Sequence, residues 1–301
     1  MTAQAFTEPE TLVLEIAGRR IHVSCWGNPA APPLLLIHGI RDHSRSWDWT
    51  ATALAERYRI YAPDLRGHGN SDWTAPHGYT LAEYGMDLFD MACALGLTRF
   101  AIVGHSFGGH LALRFAACWP EMITAVSGIE CIEMPIIREQ RDTPKPHPVR
   151  LRAWMETRRT DRERRPRGYA TLADAEDRMQ REQPQVDPAT IHHLARQGLL
   201  ANPDGSWRWK FDQATRVRPP DDANGAILDE MLTAIGCPVQ LFYGTASWVP
   251  LPPAERLARL RDHRIVTVPG VSHWLHHQAR ETYISELGAF LATHHKGTHH
   301  A

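Results

Sequence analysis

Residues 99–119 read RFAIVGHSFGGHLALRFAACW. After Arg99 the segment is apolar up to Gly104, the pattern of a buried strand. From Phe107 it turns to Ala, Leu and small residues, a helix that Pro120 stops. Between the two lies Gly104-His105-Ser106-Phe107-Gly108, which fits G-x-S-x-G in the strand–turn–helix context that motif requires. A strand feeding straight into a helix must turn sharply, and the serine at such a turn carries backbone strain of about 1–3 kcal/mol. Glycines two before and two after the serine remove the clashes around it. Gly108 and Gly109 also let the helix approach the sheet closely. The turn exposes the Ser106 Oγ at the strand end. It leaves the Phe107 N–H at a helix N-terminus, where partial positive charge favours an oxyanion.

Working outward, the same alternation of strand and helix recurs. TLVLEIA (11–17) and RIHVSCW (20–26) flank Gly18 and predict a hairpin. PLLLIHG (33–39), RIYAPD (59–64) and ITAVSGI (123–129) predict further strands, with helices over 46–56 and 81–96. Late in the chain CPVQLFYG (237–244) and HRIVTVPG (263–270) predict strands, and 254–260 and TYISELGAFLA (282–292) helices. This order predicts an α/β fold with a mainly parallel central sheet flanked by helices. The interval 131–222 breaks the alternation. Residues 138–167 hold eleven Arg/Lys against five Asp/Glu, with prolines at 144, 146, 148 and 166. Helical stretches at 149–160 and 171–182 and the lack of a convincing central strand predict an inserted helical lid. The division is core 1–130, lid 131–222 and core 223–301. The basic run is read as a solvated helix face with intrahelical ion pairs rather than a phosphate-binding surface.

Composition narrows the classes. With 33 Lys+Arg against 34 Asp+Glu the formal net charge is −1, which argues against a globally cationic nucleic-acid binder. At 43% hydrophobic residues the chain can bury a large core and is not a disordered sequence. Five widely spaced cysteines without a CxxC pair are expected to be mostly buried free thiols of a reducing compartment. The opening MTAQAFTEPE has neither the basic nor the apolar region of a secretory signal. Apolar runs such as Leu34–Ile37 fall far below the roughly 20 residues of a membrane span. The expectation is a soluble, cytoplasmic protein with a small-molecule partner and no nucleic acid; oligomeric state is left open.

Three further segments accompany the serine turn. His38-Gly39-Ile40 ends one strand, Asp64-Leu65-Arg66-Gly67-His68-Gly69-Asn70-Ser71 follows the next, and Val271-Ser272-His273-Trp274 follows the last. With them the chain resembles the α/β-hydrolase fold over nearly its full length apart from the lid. The resemblance implies Ser106 as nucleophile, His273 as base, and the backbone N–H groups of Ile40 and Phe107 as the oxyanion hole. Members of that fold most often carry an aspartate shortly after the strand written here CPVQLFYG. This chain continues Thr245-Ala246-Ser247-Trp248-Val249-Pro250, with Ser247 where the aspartate is expected. A neutral serine cannot stabilise an imidazolium as a carboxylate does. The next carboxylate, Glu255, falls inside the following helix. Glu130, immediately after ITAVSGI, is therefore the expected acid. Glu133 and a water-mediated or degenerate arrangement stay open, as does a salt bridge from Glu130 to the Arg-rich lid.

The runs RGYATLADAEDRM, IHHLARQGL and DGSWRWKFD, with IEMPI upstream and YGTASW downstream, resemble the serine hydrolase-like (Kraken-like) branch of the fold. Its members similarly show a glutamate after the sixth strand and serine in place of the common aspartate. Zearalenone-type lactone hydrolases share that acid position but not the lid motifs. The branch resemblance speaks to architecture and little to substrate.

Serine rather than aspartate at the turn argues for acyl transfer, not for dehalogenase or epoxide hydrolase chemistry. The expected activity is cofactor-independent cleavage of an ester, lactone or thioester with a substantial apolar part. A C–C bond hydrolase on the same residues, or a ligand-binding, receptor-like protein with vestigial turnover, are the alternatives. Trp154 and Trp207 in the lid and Trp248 beside the site are expected to line an apolar pocket. His38 and His105 are expected to be structural, His276 and His277 to lie on an exposed helix, and His294, His295, His299 and His300 to form a polar tail. No HExxH or Cys/His spacing is present, and no metal is expected.

Overall fold

In the computed structural model, residues 6–75, 78–161, 168–216 and 218–295 are described. Glu10–Ile16 (β1) and Arg19–Trp26 (β2) pair antiparallel through a turn at Ala17 (φ 48°) and Gly18 (φ 73°). Two successive left-handed residues give the tight hairpin whose twist matches its strands. Strands Pro33–Ile37 (β3), Arg59–Pro63 (β4), Phe100–His105 (β5) and Ile123–Ile129 (β6) follow. Then come the short Leu199–Ala201 (β7) and Trp207–Trp209 (β8), and finally Val239–Gly244 (β9) and His263–Val268 (β10). The helices are Asp48–Leu54 (α1), Leu81–Ala94 (α2), Phe107–Cys118 (α3), Pro135–Asp142 (α4), His147–Asp161 (α5) and Leu172–Glu182 (α6). After them come Pro188–Gly198 (α7), Gly225–Ala234 (α8), Ala254–Leu257 (α9), Leu275–Gln278 (α10) and Arg280–His294 (α11).

Eight strands form one sheet in the order β1-β2-β4-β3-β5-β6-β9-β10. Only β2 runs antiparallel to its neighbours; the remaining pairs are parallel. Successive residues of a strand point to opposite faces, and both faces here are apolar. Leu35, Ile37 and Ile102 pack with Leu88 and Met91 of α2, Leu111 and Phe115 of α3, and Leu228 and Leu232 of α8. Leu34, Leu36 and Val103 pack on the other face with Leu54 of α1 and Tyr283, Leu287 and Leu291 of α11. The expected α/β architecture is thus present, with helices covering both faces of a mainly parallel sheet. Among the described residues no helix is long and apolar enough to cross a membrane.

Several expectations change. The segment between β6 and β9 is not purely helical: β7 and β8 form an antiparallel hairpin, and Tyr169 bridges to Trp207 beside it. The helix expected over 254–260 is the short α9 followed by turns. All five cysteines are free, but only Cys25 and Cys131 are buried; Cys237 is half-buried, and Cys93 and Cys118, in the last turns of α2 and α3, are exposed. His276 and His277 are buried, not exposed, because α10 is a single turn tucked against the sheet. The His276 ring lies 5.0 Å from Trp47 and 4.5 Å from His105. His295 is buried too, stacked on Tyr58 and hydrogen-bonded at Nδ1 to Thr124 Oγ1 at 2.8 Å. His294 is exposed, and His299 and His300 lie outside the described residues.

Burying so many imidazoles has a consequence for stability. Burial pushes His43 down to about 4 and His68, His110 and His277 to about 3, and it takes His105 and His276 well below the usual histidine value. The unfolded chain protonates these groups near pH 6.5. Below that pH the unfolded state binds more protons than the folded state, so stability falls as the pH is lowered towards the folded values. Each such group contributes a loss of about 1.4 kcal/mol per pH unit within its window. The melting temperature is therefore expected to drop steadily from pH 7 to pH 5, a range that starts at about the unperturbed histidine value. A melting temperature constant over that range contradicts the neutral, buried state of these side chains.

Candidate active site

The turn between β5 and α3 is built as the sequence requires. Ser106 adopts φ 51° and ψ −112°, a left-handed conformation strained for a residue with a Cβ. Its N–H donates to Ile129 O at 2.8 Å, and its carbonyl accepts from His110 N at 3.0 Å, so both flanks of the turn are pinned. A Cβ at Gly104 would sit 2.4 Å from the backbone of Gly108, and one at Gly108 would sit 2.2 Å from Ile37 O. Only glycine fits either place. The Phe107 N–H belongs to the first turn of α3 and has no acceptor within the helix.

The loop carrying Ile40 is fixed by His38. Leu65 N–H donates to His38 Nε2 at 3.0 Å, so that nitrogen is bare and Nδ1–H donates to Gly39 O at 2.6 Å. Asp64 ties neighbouring loops together, accepting from Ser44 N at 2.6 Å and Asn70 N at 2.8 Å. Burial alone would raise its carboxyl, but the hydrogen bond and charge of His22 outweigh that and hold it well below the usual carboxylate range.

His273 lies in the loop between β10 and α10, and its Nδ1 is 2.6 Å from Glu130 Oε2. A carboxylate only accepts, so Nδ1 carries the proton and Nε2 is the basic nitrogen. Glu130 stands directly after β6 in a left-handed conformation (φ 47°) with its side chain buried. Its Oε1 accepts from Gly244 N at 2.9 Å, and its Oε2 also accepts the Ser247 hydroxyl at 2.5 Å. Ser247, where an aspartate was expected, thus donates to Glu130. Residue spacing carried no signal for that hydrogen bond. Glu133 is elsewhere: it pairs with Arg256 at 2.6 Å and Arg141 at 2.5 Å, taking the arginine partnership that competed for Glu130. His105 has the structural part expected of it. Its Nε2–H donates to His273 O at 3.0 Å, steadying the backbone of the next histidine.

Ser106, His273, Gly39 and Ile40 line one cavity of about 710 Å³, a volume typical of small-molecule sites. Trp248 lines it, its ring 4.7 Å from that of His273. Trp154 and Trp207 do not line it. Trp154 is on α5, and Trp207 packs with Tyr169, Ala175, Ala195 and Leu199. Trp209, two residues along β8, lines the cavity in their place; its Nε1–H donates to Tyr169 Oη at 3.2 Å. Sequence reading missed the charged part of the lining, which includes Arg41, Arg178, Arg216, Arg218, Asp42 and Glu182. These come from separate segments and share no local pattern. Asp42, His105 and His276 place one ligand atom each within 4.8 Å of one another, a grouping able to hold a metal ion that spacing in the sequence could not show.

A model of the alpha/beta hydrolase family matches residues 34–286. An uncharacterized protein of Mycobacterium tuberculosis is 42% identical over 94 residues; that match covers 31% of this chain and 27%, about a quarter, of the relative's length. A serine hydrolase-like protein of Dictyostelium discoideum is 27% identical over 96% of this chain and 84% of its own. Among solved structures, the thioesterase domain from the curacin biosynthetic pathway superposes with a TM-score of 0.81 at 24% identity, covering 93% of this chain and 99% of that one, a likeness of fold. With the family model spanning most of its length and the fold agreeing, the chain belongs to the alpha/beta hydrolase family.

Proposed function

We propose that this hydrolase-family protein is a serine hydrolase that cleaves an ester, lactone or thioester of a small molecule through an acyl-enzyme on Ser106, His273 and Glu130. The observation that carries the reading is the 2.6 Å contact between His273 Nδ1 and a buried Glu130, on the cavity that also holds the strained Ser106. His273 Nε2 takes the Ser106 proton as Oγ attacks the substrate carbonyl. The N–H groups of Ile40 and Phe107 receive the oxyanion. The imidazolium, balanced by Glu130, then protonates the leaving alcohol or thiol, and water releases the acid by the reverse path. Residues 131–222 act as a lid that sets acyl preference. Met134, Ile136, Met179, Leu194, Trp209 and Phe211 supply the apolar lining for the acyl chain.

Hydrolysis of 4-nitrophenyl esters of graded acyl length tests the proposal. Turnover should survive chelation by EDTA, because backbone N–H groups bind the oxyanion. It should fall at acid pH, because only neutral imidazole accepts the serine proton. A metal requirement, or a rate that does not fall in acid, contradicts the mechanism. Trp248 is 53% exposed, so Trp248→Ala should hardly change stability. Losing its contact with a long acyl chain should cost about 1 kcal/mol, roughly fivefold in KM, with little effect on an acetyl ester. Equal losses for both esters contradict a lining role.

A further inference from the structure

The cavity carries more positive charge than its own carboxylates neutralise. Arg41 on the loop after Ile40, Arg178 on α6 and Arg216 before α8 converge around Glu182, close enough for their charges to act on one another. Among the described residues only Arg178 is bonded to that carboxylate, at 2.7 Å. Among the described residues Arg41 and Arg216 have no hydrogen-bond or ion-pair partner. Arg218 lines the same cavity with its guanidinium carbon 3.8 Å from the ring centre of Phe107, the residue after Ser106. It is likewise without an ion-pair partner among the described residues, and Asp222, which attracts it, accepts instead from Leu81 N at 3.0 Å. The remaining lining carboxylate, Asp42, accepts instead from His43 N at 2.8 Å. A solvated helix face does not explain three unpaired guanidiniums brought from two distant parts of the chain into one half-closed cavity. Their planar donor forks match the oxygens of a carboxylate or phosphate. Arg41 and Arg216 are exposed and Arg218 is half-buried; burial acts against the Arg218 charge, and a ligand anion offsets that cost.

We propose that the substrate bears an oxyanion group remote from its scissile carbonyl, a carboxylate or a phosphate, held by Arg41, Arg216 and Arg218 while the carbonyl carbon stands at Ser106. This rests on the serine-hydrolase reading for its second half only, since anion binding does not need turnover. The apolar lining and the guanidiniums together select an amphipathic acyl compound over a purely hydrocarbon ester.

Two matched substrate pairs test this and separate the two sources of charge. In one the charge is in the acyl part: mono-(4-nitrophenyl) glutarate against 4-nitrophenyl pentanoate. In the other it is in the leaving group: S-butanoyl phosphopantetheine against S-butanoyl pantetheine. In at least one pair kcat/KM should favour the anionic member by about tenfold or more, the factor that roughly 1.4 kcal/mol gives. That ratio should shrink with added salt and collapse towards one in Arg216→Gln and Arg218→Gln. Ratios near one in both pairs, or ratios unchanged in the two variants, overturn the anion site while leaving the hydrolase reading intact. The converse is read on Ser106→Ala protein. Quenching of tryptophan fluorescence by 4-nitrophenyl phosphate or by mono-(4-nitrophenyl) glutarate, abolished in Ser106→Ala/Arg218→Gln, supports the anion site even if no ester is turned over. Equal affinity of Ser106→Ala for an anionic probe and its neutral partner counts against the site.

Discussion

Ser106→Ala is expected to lower kcat by about 10⁶-fold, the loss seen when a nucleophile of this kind is removed from a concerted set. The change removes only Oγ. Ser106 accepts and donates through its backbone alone in the contacts that pin the turn, to Ile129 O and from His110 N, and alanine keeps both. The fold and melting temperature should therefore survive. Binding and the oxyanion donors remain, so a residual rate above the uncatalysed reaction is expected. Retention of more than about a thousandth of the wild-type kcat contradicts an acyl-enzyme on this serine. His273→Ala should be nearly as damaging, because nucleophile and base act as one unit.

Glu130→Gln is expected to cost about 10⁴-fold in kcat, the size of the loss when the acid of a related triad is neutralised. Glutamine can still accept from Gly244 N–H on one atom. At the other it presents an amide to two groups, His273 Nδ1 and the Ser247 hydroxyl, that now both approach a carboxylate oxygen. The imidazole then loses both its orientation and its counter-charge. The Ser247 hydroxyl is 2.5 Å from the oxygen that holds His273. In Glu130→Ala/Ser247→Asp a new carboxylate therefore starts from nearly the right place, and activity should recover partly over Glu130→Ala. Recovery stays incomplete because Gly244 N–H is left buried without its acceptor, and a misplacement near 1 Å can cost about 10²-fold. Glu133→Gln should act on stability instead, since it breaks pairs to Arg256 and Arg141. A near-normal kcat in Glu130→Gln contradicts the assignment of the acid.

How far the sequence disclosed all this depended on whether the signal was local. The buried strands β3, β5, β6 and β9 were legible because sheet strands covered on both faces are continuous apolar runs. The serine turn was legible because its glycines answer a steric demand only a few residues away. The choice of Glu130 as candidate acid rests on the missing carboxylate at 247 and the strand end before 130, and its carboxylate stands 2.6 Å from His273 Nδ1. By contrast α4, α7 and α8 lie outside the helices that apolar periodicity predicts, although Asp187 before Pro188 and Asn224 before Gly225 are capping signals; their side chains do accept from Thr190 N and from Ala226 and Ile227 N. The β7–β8 hairpin is three residues on each side, too short to show alternation. Trp154 and Trp207 fall in the predicted insertion, but which face of an element meets the cavity is set by packing, and Trp209 has that place. His276 and His277 read as polar on a short helix because polarity does not reveal what a buried turn is packed against. The arginine lining has no sequence signature, since positions 41, 178, 216 and 218 meet only after folding.

The central claim is that Ser106 is an activated nucleophile held by His273 and Glu130. Labelling with a fluorophosphonate, read by intact mass and by peptide mapping, tests it most directly. The account predicts one adduct per chain on the peptide containing Ser106, formed much more slowly in Glu130→Gln and absent in Ser106→Ala. No adduct on the native protein, or an adduct on another residue that persists in Ser106→Ala, contradicts it.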